Sequence, residues 1–227
     1  MKLRLKLSPT HIFDSASITH IFDSASITHI SLSGSVVHDP ANSLSSLLSA
    51  DNHFSGLVSV ELGSLAGCLN LPWSSQALTQ FLNVNPTIQH LSLGTQKPNP
   101  DISFQLHSPS LSGGFLPDLR SFEGFPEHLT LMAQANVQSL NQLESLALVS
   151  TEEDLEDMRR MLEALTLQSF PSVKYLHVEL YPAELNFHAP FNVTFLVHGG
   201  VMLGLGRLFP EVVNIYAKLP PINGVSS

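Results

Sequence analysis

One short polarity pattern recurs along the chain: an apolar residue, two variable positions, then apolar, variable, apolar. It stands at Ile27-Thr28-His29-Ile30-Ser31-Leu32, at Leu57-Val58-Ser59-Val60-Glu61-Leu62 and at Ile88-Gln89-His90-Leu91-Ser92-Leu93. It returns at 119–124, with Gly124 in the last slot, and at 143–148, 173–178 and 212–217. Alternation of this kind predicts a short strand whose alternate side chains face a core. The first seven residues alternate Lys or Arg with Leu and predict a further strand with one apolar face. The seven starts lie 30, 31, 31, 24, 30 and 39 residues apart, so one element recurs about every thirty residues.

The intervals carry helix signals. Asp39-Pro40 places an N-cap before a proline at the first helical position, and Leu44, Leu47 and Leu48 then share a face. Ser75 can cap a helix in which Leu78, Phe81 and Leu82 repeat that spacing. The segment 127–135 groups Leu129, Met132 and Ala133. The clearest helix is predicted over about 151–167: Thr151 caps it, and Asp154 and its acidic neighbours fill the first turn. Its buried stripe is Leu155, Met158, Leu162 and Leu165, with Arg159 and Arg160 facing solvent. No helix is long enough to fold alone, so each unit must bury its apolar side against its neighbours.

A period near thirty with this strand predicts an α/β fold, a leucine-rich-repeat-like solenoid of about seven irregular strand–helix repeats with a parallel sheet. It forms a single domain over 1–227: an N-terminal cap over 1–23, repeats over 24–219 and a tail over 220–227. The competing arrangement is an ordinary α/β domain with crossover helices. Its doubly covered strands would read as continuous apolar runs, and no nucleotide-binding glycine loop follows the first strand.

A second repetition is perfect and local. His11-Ile12-Phe13-Asp14-Ser15-Ala16-Ser17-Ile18-Thr19 is copied from His20 to Thr28, and a third start follows at His29-Ile30-Ser31. Nine is odd, so equivalent residues of successive copies point to opposite faces of a strand; nine steps of ~100° also oppose them on a helix. His11, His20 and His29 therefore do not converge on a metal. The copy reads as a duplication that lengthens the first turn of the molecule.

Composition narrows the function classes. Hydrophobic residues make up 43% and charged residues 13% of the 227, which argues against disorder. Ten Lys and Arg against nineteen Asp and Glu leave a net charge of −9 with no basic cluster, so nucleic acid is not an expected partner. Cys68 alone supports neither a disulfide framework nor a cysteine zinc site. The stretch 191–209 has the length of a membrane span but holds Asn192, His198, Arg207 and four glycines. With no signal-peptide core, an intracellular protein is expected, cytoplasmic or nuclear, without membrane contact. Asn192-Val193-Thr194 matches a glycosylation sequon, which carries no weight without secretion.

Catalytic signals are sparse. Phe195-Leu196-Val197-His198-Gly199-Gly200 has the form of the strand-then-His-Gly-Gly oxyanion element of lipase-like hydrolases. The Gly-x-Ser-x-Gly elbow and later histidine that this chemistry needs do not follow it, and the glycines read as a tight turn between two apolar segments. Gly204-Leu205-Gly206 lacks the third glycine of a dinucleotide fingerprint. The eleven histidines are scattered singly, so neither a metal nor a cofactor is expected.

Phe115-Leu116-Pro117-Asp118-Leu119-Arg120-Ser121-Phe122-Glu123-Gly124 resembles the irregular leucine-rich-repeat region of fungal F-box proteins, especially those of mushroom-forming fungi. Phe170-Pro171-Ser172-Val173 and Phe209-Pro210-Glu211-Val212 have the same aromatic-proline turn leading into a strand. The resemblance covers about residues 24–219 and implies repeats that hold a protein substrate. Nothing between Met1 and Asp51 resembles an F-box, so binding of a ubiquitin-ligase adaptor does not carry over. The regular asparagine after each strand is also missing.

If the repeats stack, the positions between the inward apolar residues form one concave face. It would present His29 and Ser31, Ser59 and Glu61, His90 and Ser92, Ser121 and Glu123. It would continue with Ser145 and Ala147, Tyr175 and His177, Asn214 and Tyr216, with Glu179 and Lys218 just beyond. Aromatics with polar handles favour protein contacts, so the expected function is a non-enzymatic protein-binding scaffold. The alternatives are a hydrolase-like α/β enzyme, resting on His198, and a truncated gene fragment, suggested by the missing F-box, the abrupt start and the nine-residue copy.

Overall fold

The computed structural model of the chain describes residues 2–7, 27–35, 51–66, 75–93, 106–150, 156–180 and 191–218. Through them run eight strands: β1 (Lys2–Leu7), β2 (His29–Ser35), β3 (Ser59–Ala66), β4 (His90–Leu93), β5 (Ser121–Gly124), β6 (Ser145–Ser150), β7 (Tyr175–Leu180) and β8 (Asn214–Lys218). They form one sheet in chain order, and every neighbouring pair is parallel. The helices α1 (Ser75–Val84), α2 (Pro126–Gln134), α3 (Glu156–Ala164) and α4 (Phe191–Leu208) follow β3, β5, β6 and β7. The fold is α/β with a parallel sheet. A doubly wound sheet reverses its strand order at a switch point, and this one does not reverse.

Each polarity signature begins two residues before its strand. Six of the seven leading residues, Ile27, Leu57, Ile88, Leu119, Leu143 and Val173, are at most 1% exposed, and Val212 is half-buried. Ile30, Val60, Leu91, Phe122, Leu146 and Leu176 form one buried row across the sheet; Leu32, Leu62, Leu93, Leu148 and Val178 belong to the next. Burial of one such side chain stabilises by about 1.5–3 kcal/mol, so these rows supply most of the cohesion between strands. The row runs out on β8, where Ile215 is 53% exposed.

The turn that feeds each strand is the feature the units share most closely. Five residues ahead of β3 to β8 stand Phe54, Asn85, Leu116, Leu140, Phe170 and Phe209. The carbonyl of each accepts the N–H of the third residue on, at 3.0–3.4 Å. Proline follows at Pro86, Pro117, Pro171 and Pro210, the turn position for which its fixed φ is suited. Next, the carbonyl just before each strand accepts two N–H groups from the following unit. Thr28 takes Val58 and Ser59, Val58 takes Gln89 and His90, and Gln89 takes Arg120 and Ser121. Arg120, Glu144 and Lys174 continue the series, with all twelve bonds between 2.8 and 3.2 Å.

Asn85 occupies a slot that is otherwise leucine or phenylalanine, and it is fully buried. Its Oδ1 accepts the Phe54 N–H at 2.7 Å, while Nδ2 donates to Asn52 O at 3.0 Å and Phe81 O at 2.8 Å. A buried amide bonded in this way does not carry the desolvation penalty of an unpaired one. It ties its own turn to the turn one unit earlier.

The helices fall near their predicted places. α1 starts at Ser75 and buries Leu78, Phe81 and Leu82; α2 buries Leu129, Met132 and Ala133. α2 opens with Pro126 at its first turn, and the Phe125 N–H donates to His128 Nδ1 at 3.3 Å. α3 buries Met158, Met161 and Leu162, with Leu165 just beyond its end, and leaves Arg159 and Arg160 exposed. Met161 extends the predicted stripe.

One expectation fails. Gly199-Gly200 is not a tight turn: α4 runs unbroken from Phe191 to Leu208. Glycine costs a helix about 1 kcal/mol per residue, but a helix can keep it where a neighbour packs close. Gly204 shows such packing, since a Cβ there would lie 2.6 Å from Leu162 Cδ1 of α3. Among the described residues no helix is long and apolar enough to cross a membrane. The nine-residue copy up to residue 26, the Asp39-Pro40 helix, Cys68, Thr151 to Leu155 and the 220–227 tail lie outside the described residues.

Candidate functional site

Parallel pairing in register aligns side chains into rows across the sheet, so the expected face can be followed strand by strand. The first row is Lys2, His29, Ser59, His90, Ser121, Ser145, Tyr175 and Asn214. The second is Arg4, Ser31, Glu61, Ser92, Glu123, Ala147, His177 and Tyr216. A third row, over β6 to β8, holds Val149, Glu179 and Lys218. The structure thus brings the sixteen expected face residues into three aligned rows, with Lys218, like Lys2 and Arg4 of β1, placed by its backbone pairing.

Exposure grades along the rows. Glu61, His90 and Asn214 are open, as are Tyr175 at 57% and Tyr216 at 61%. His29, Ser59, Ser92, Ser121, Glu123, Ser145 and His177 are half-buried. Glu179, at 9%, and Val149, at 2%, are buried, so the third row is covered at β6 and β7 while the first two are open.

The second row carries two serine–carboxylate hydrogen bonds. Ser31 Oγ–H donates to Glu61 Oε2 at 2.9 Å, and the Ser92 side chain bonds Glu123 one strand further on. Burial raises the pKa of the Glu123 carboxyl above its ordinary value. The bond from Ser92 and the charge of His177 oppose that rise, while Glu61 and Glu179 add to it as like charges. His177 meets Tyr216 edge to face, with ring centroids 4.7 Å apart at 81°. Its Nε2 is buried without a hydrogen-bond partner. The rows hold no Lys or Arg from β2 to β7. Two cations stand just ahead of strands and are paired, Arg120 with Glu144 at 3.5 Å and Lys174 with Glu211 at 3.8 Å.

The face therefore offers carboxylates held by serine hydroxyls, imidazoles and two exposed tyrosines. Among the described residues, no three His, Cys, Asp or Glu side chains gather closely enough to hold a metal ion. The His198 element falls within α4, so the strand and turn that an oxyanion site of that type requires are not formed there.

The sequence matches no protein-family model, and no curated protein matches it significantly.

Two features escaped the reading of the sequence. The alternating Ser and Glu of the second row become hydrogen-bonded pairs only through register, although the Ser-x-Glu of β3 and β5 was a visible hint. A groove of about 410 Å³ between α3 and α4 is lined by Leu162, Glu163, Thr166, Gly200, Leu203, Gly204 and Arg207. It was hidden because the glycines of α4 read as a turn.

Proposed function

We propose that this chain is an irregular leucine-rich-repeat-like solenoid acting as a non-enzymatic protein-binding scaffold, with the open rows of β2 to β8 as its docking surface. The observation that carries this reading is register: polar positions chosen by a thirty-residue spacing stand side by side on sequential parallel strands. Their mixture of exposed tyrosines, imidazoles and hydrogen-bonded carboxylates suits protein contacts. The resemblance to the repeats of fungal F-box proteins points the same way, to a surface that holds a protein, in the cytoplasm or nucleus. Adaptor docking is not part of the proposal, since no F-box is recognised.

The test is quantitative affinity capture with mass spectrometry, comparing wild type, Tyr175→Ala with Tyr216→Ala, and Leu203→Ser on α4. Partners enriched by wild type should be lost with the tyrosine pair replaced and kept with Leu203 replaced. An unchanged partner set in the tyrosine variant refutes the assignment of the face.

A further inference from the structure

The sheet stops at β8 with the acceptors for a further strand already in place. The carbonyls of Thr28, Val58, Gln89, Arg120, Glu144 and Lys174 each accept two N–H groups from the following unit, and Val213 stands in that position ahead of β8. Among the described residues its carbonyl accepts none. Asn214 directs its N–H back to Lys174 O at 3.2 Å, and alternation along a parallel ladder turns Tyr216 the same way. Ile215 and Ala217 therefore present their main-chain N–H and C=O groups at the open edge. The Ile215 side chain continues a row whose members from β2 to β7 are at most 2% exposed, yet it is itself 53% exposed.

The helix layer is open on the same side. Gly204 of α4 faces α3, where a Cβ would lie 2.6 Å from Leu162 Cδ1. Two residues in either direction turn about 200° round a helix, so Met202 and Gly206 face away from α3. Met202 is exposed, and Gly206 has nothing within 4 Å. Of the seven large hydrophobic side chains left exposed among the described residues, five gather at this end: Tyr175, Met202, Val213, Ile215 and Tyr216.

An edge of unpaired main-chain groups is covered by a strand, and the sequence of β8 suits a second copy of itself. An antiparallel pair centred on Tyr216 sets Ile215 opposite the second copy's Ala217, Asn214 opposite its Lys218 and Tyr216 opposite its equivalent. Ile215 and Ala217 then make the hydrogen-bonded pairs and Tyr216 the closer non-hydrogen-bonded pair, as their main-chain directions require. No like charges meet. At the other end of the sheet β1 carries Lys2, Arg4 and Lys6 and would oppose itself. A parallel head-to-tail contact in the register of the other junctions would set Lys6 against Lys218.

We propose that two copies of this chain join edge to edge through β8, antiparallel about Tyr216, into one continuous sheet. The two-fold axis stands normal to the sheet, so the open rows of both copies lie on one side and the Tyr216 pair occupies the centre of the joined face. The same axis draws the two α4 flanks together at about two strand spacings, ~10 Å, a distance at which helices pack. Gly206 leaves room for that approach. The second copy thus adds its own tyrosine to the candidate face, and the inference does not depend on what that face binds.

The experiment is sedimentation equilibrium of the full chain up to ~100 μM, a range set by the micromolar affinity expected of a short edge contact. Wild type should reach the mass of two chains. Ile215→Lys, which sets a charge on the edge, should weaken the dimer about 10-fold or more. Leu203→Lys, on the groove side of α4, should leave it unchanged, and circular dichroism checks that both variants are folded. Register is read by cross-linking in a Cys68→Ser background. Tyr216→Cys places two sulfurs in a pair with Cα atoms ~4.5 Å apart, which a disulfide spans, so mild oxidation should give a covalent dimer. Tyr175→Cys, one strand back, should not. A chain that stays monomeric, a dimer that survives Ile215→Lys in the folded variant, equal cross-linking at the two cysteine positions, or assemblies larger than two chains overturns the proposal.

Discussion

Replacing Asn85 by alanine should destabilise the protein by about 3 kcal/mol. The side chain is fully buried and makes three hydrogen bonds, at 2.7, 2.8 and 3.0 Å, two of them to the turn one unit earlier. At about 0.5–1.5 kcal/mol net per bond, their loss costs roughly 1.5–4.5 kcal/mol. Leucine is the informative second variant, because Leu116 and Leu140 fill the same slot elsewhere and the turn accepts them. It loses the same bonds but buries an apolar side chain worth about 1.5–3 kcal/mol, so Asn85→Leu should cost only about 1–2 kcal/mol. Urea unfolding followed by circular dichroism reads both: with a slope of about 2 kcal/mol/M, the alanine variant should lose about 1.5 M in its midpoint. Amide exchange at Phe54 should accelerate more than at Tyr175, four units' strands away in β7. An alanine variant within about 0.5 kcal/mol of wild type would refute the idea that this amide links successive turns.

Two further outcomes follow from close packing and from charge. Gly124→Ala should destabilise by about 1–3 kcal/mol through overpacking, because its Cβ would lie 2.6 Å from the buried Phe122 ring and 2.9 Å from His128 Nδ1. Gly206→Ala, with nothing within 4 Å of the new carbon, should instead stabilise α4 by up to about 1 kcal/mol, and thermal melts of the pair test the contrast. Glu123 has a carboxyl pKa raised in the fold, so its contribution to stability is greatest below the ordinary carboxylate range and is lost as pH rises through the raised value. Glu123→Gln should therefore be more stable than wild type at pH 7 and converge with it at acidic pH; denaturation midpoints that keep a constant gap would contradict this.

The strands were legible because one face of the sheet is open: polar residues could remain at alternate positions, and Ser59-Val60-Glu61-Leu62 displays its period of two directly. Helix α1 was legible for the related reason that its buried apolar residues, Leu78, Phe81 and Leu82, recur at helical spacing. Asn85 was illegible because polarity reading assigns an Asn-Pro pair to a solvated loop, whereas its three bonds are made to residues distant in the chain or one turn back. α4 was misread since local propensity sees Gly199-Gly200 as a breaker, while the decisive contact, Gly204 against Leu162, joins residues forty-two apart. The candidate face was legible residue by residue but not as a charge pattern. That Glu61, Glu123 and Glu179 fall on alternate strands matters only once pairing fixes the distance between them.

The doubled carbonyl acceptors ahead of the strands carry a consequence for how disturbance travels. Each of those oxygens holds only the unit that comes after it, so the main-chain linkage is a relay with no shortcut between distant members. Strain introduced at one member passes to its immediate neighbours and is attenuated at every handover. Evolution can therefore lengthen, shorten or reword one member, as the intervals of 24 and 39 residues show, while the alignment of remote members persists.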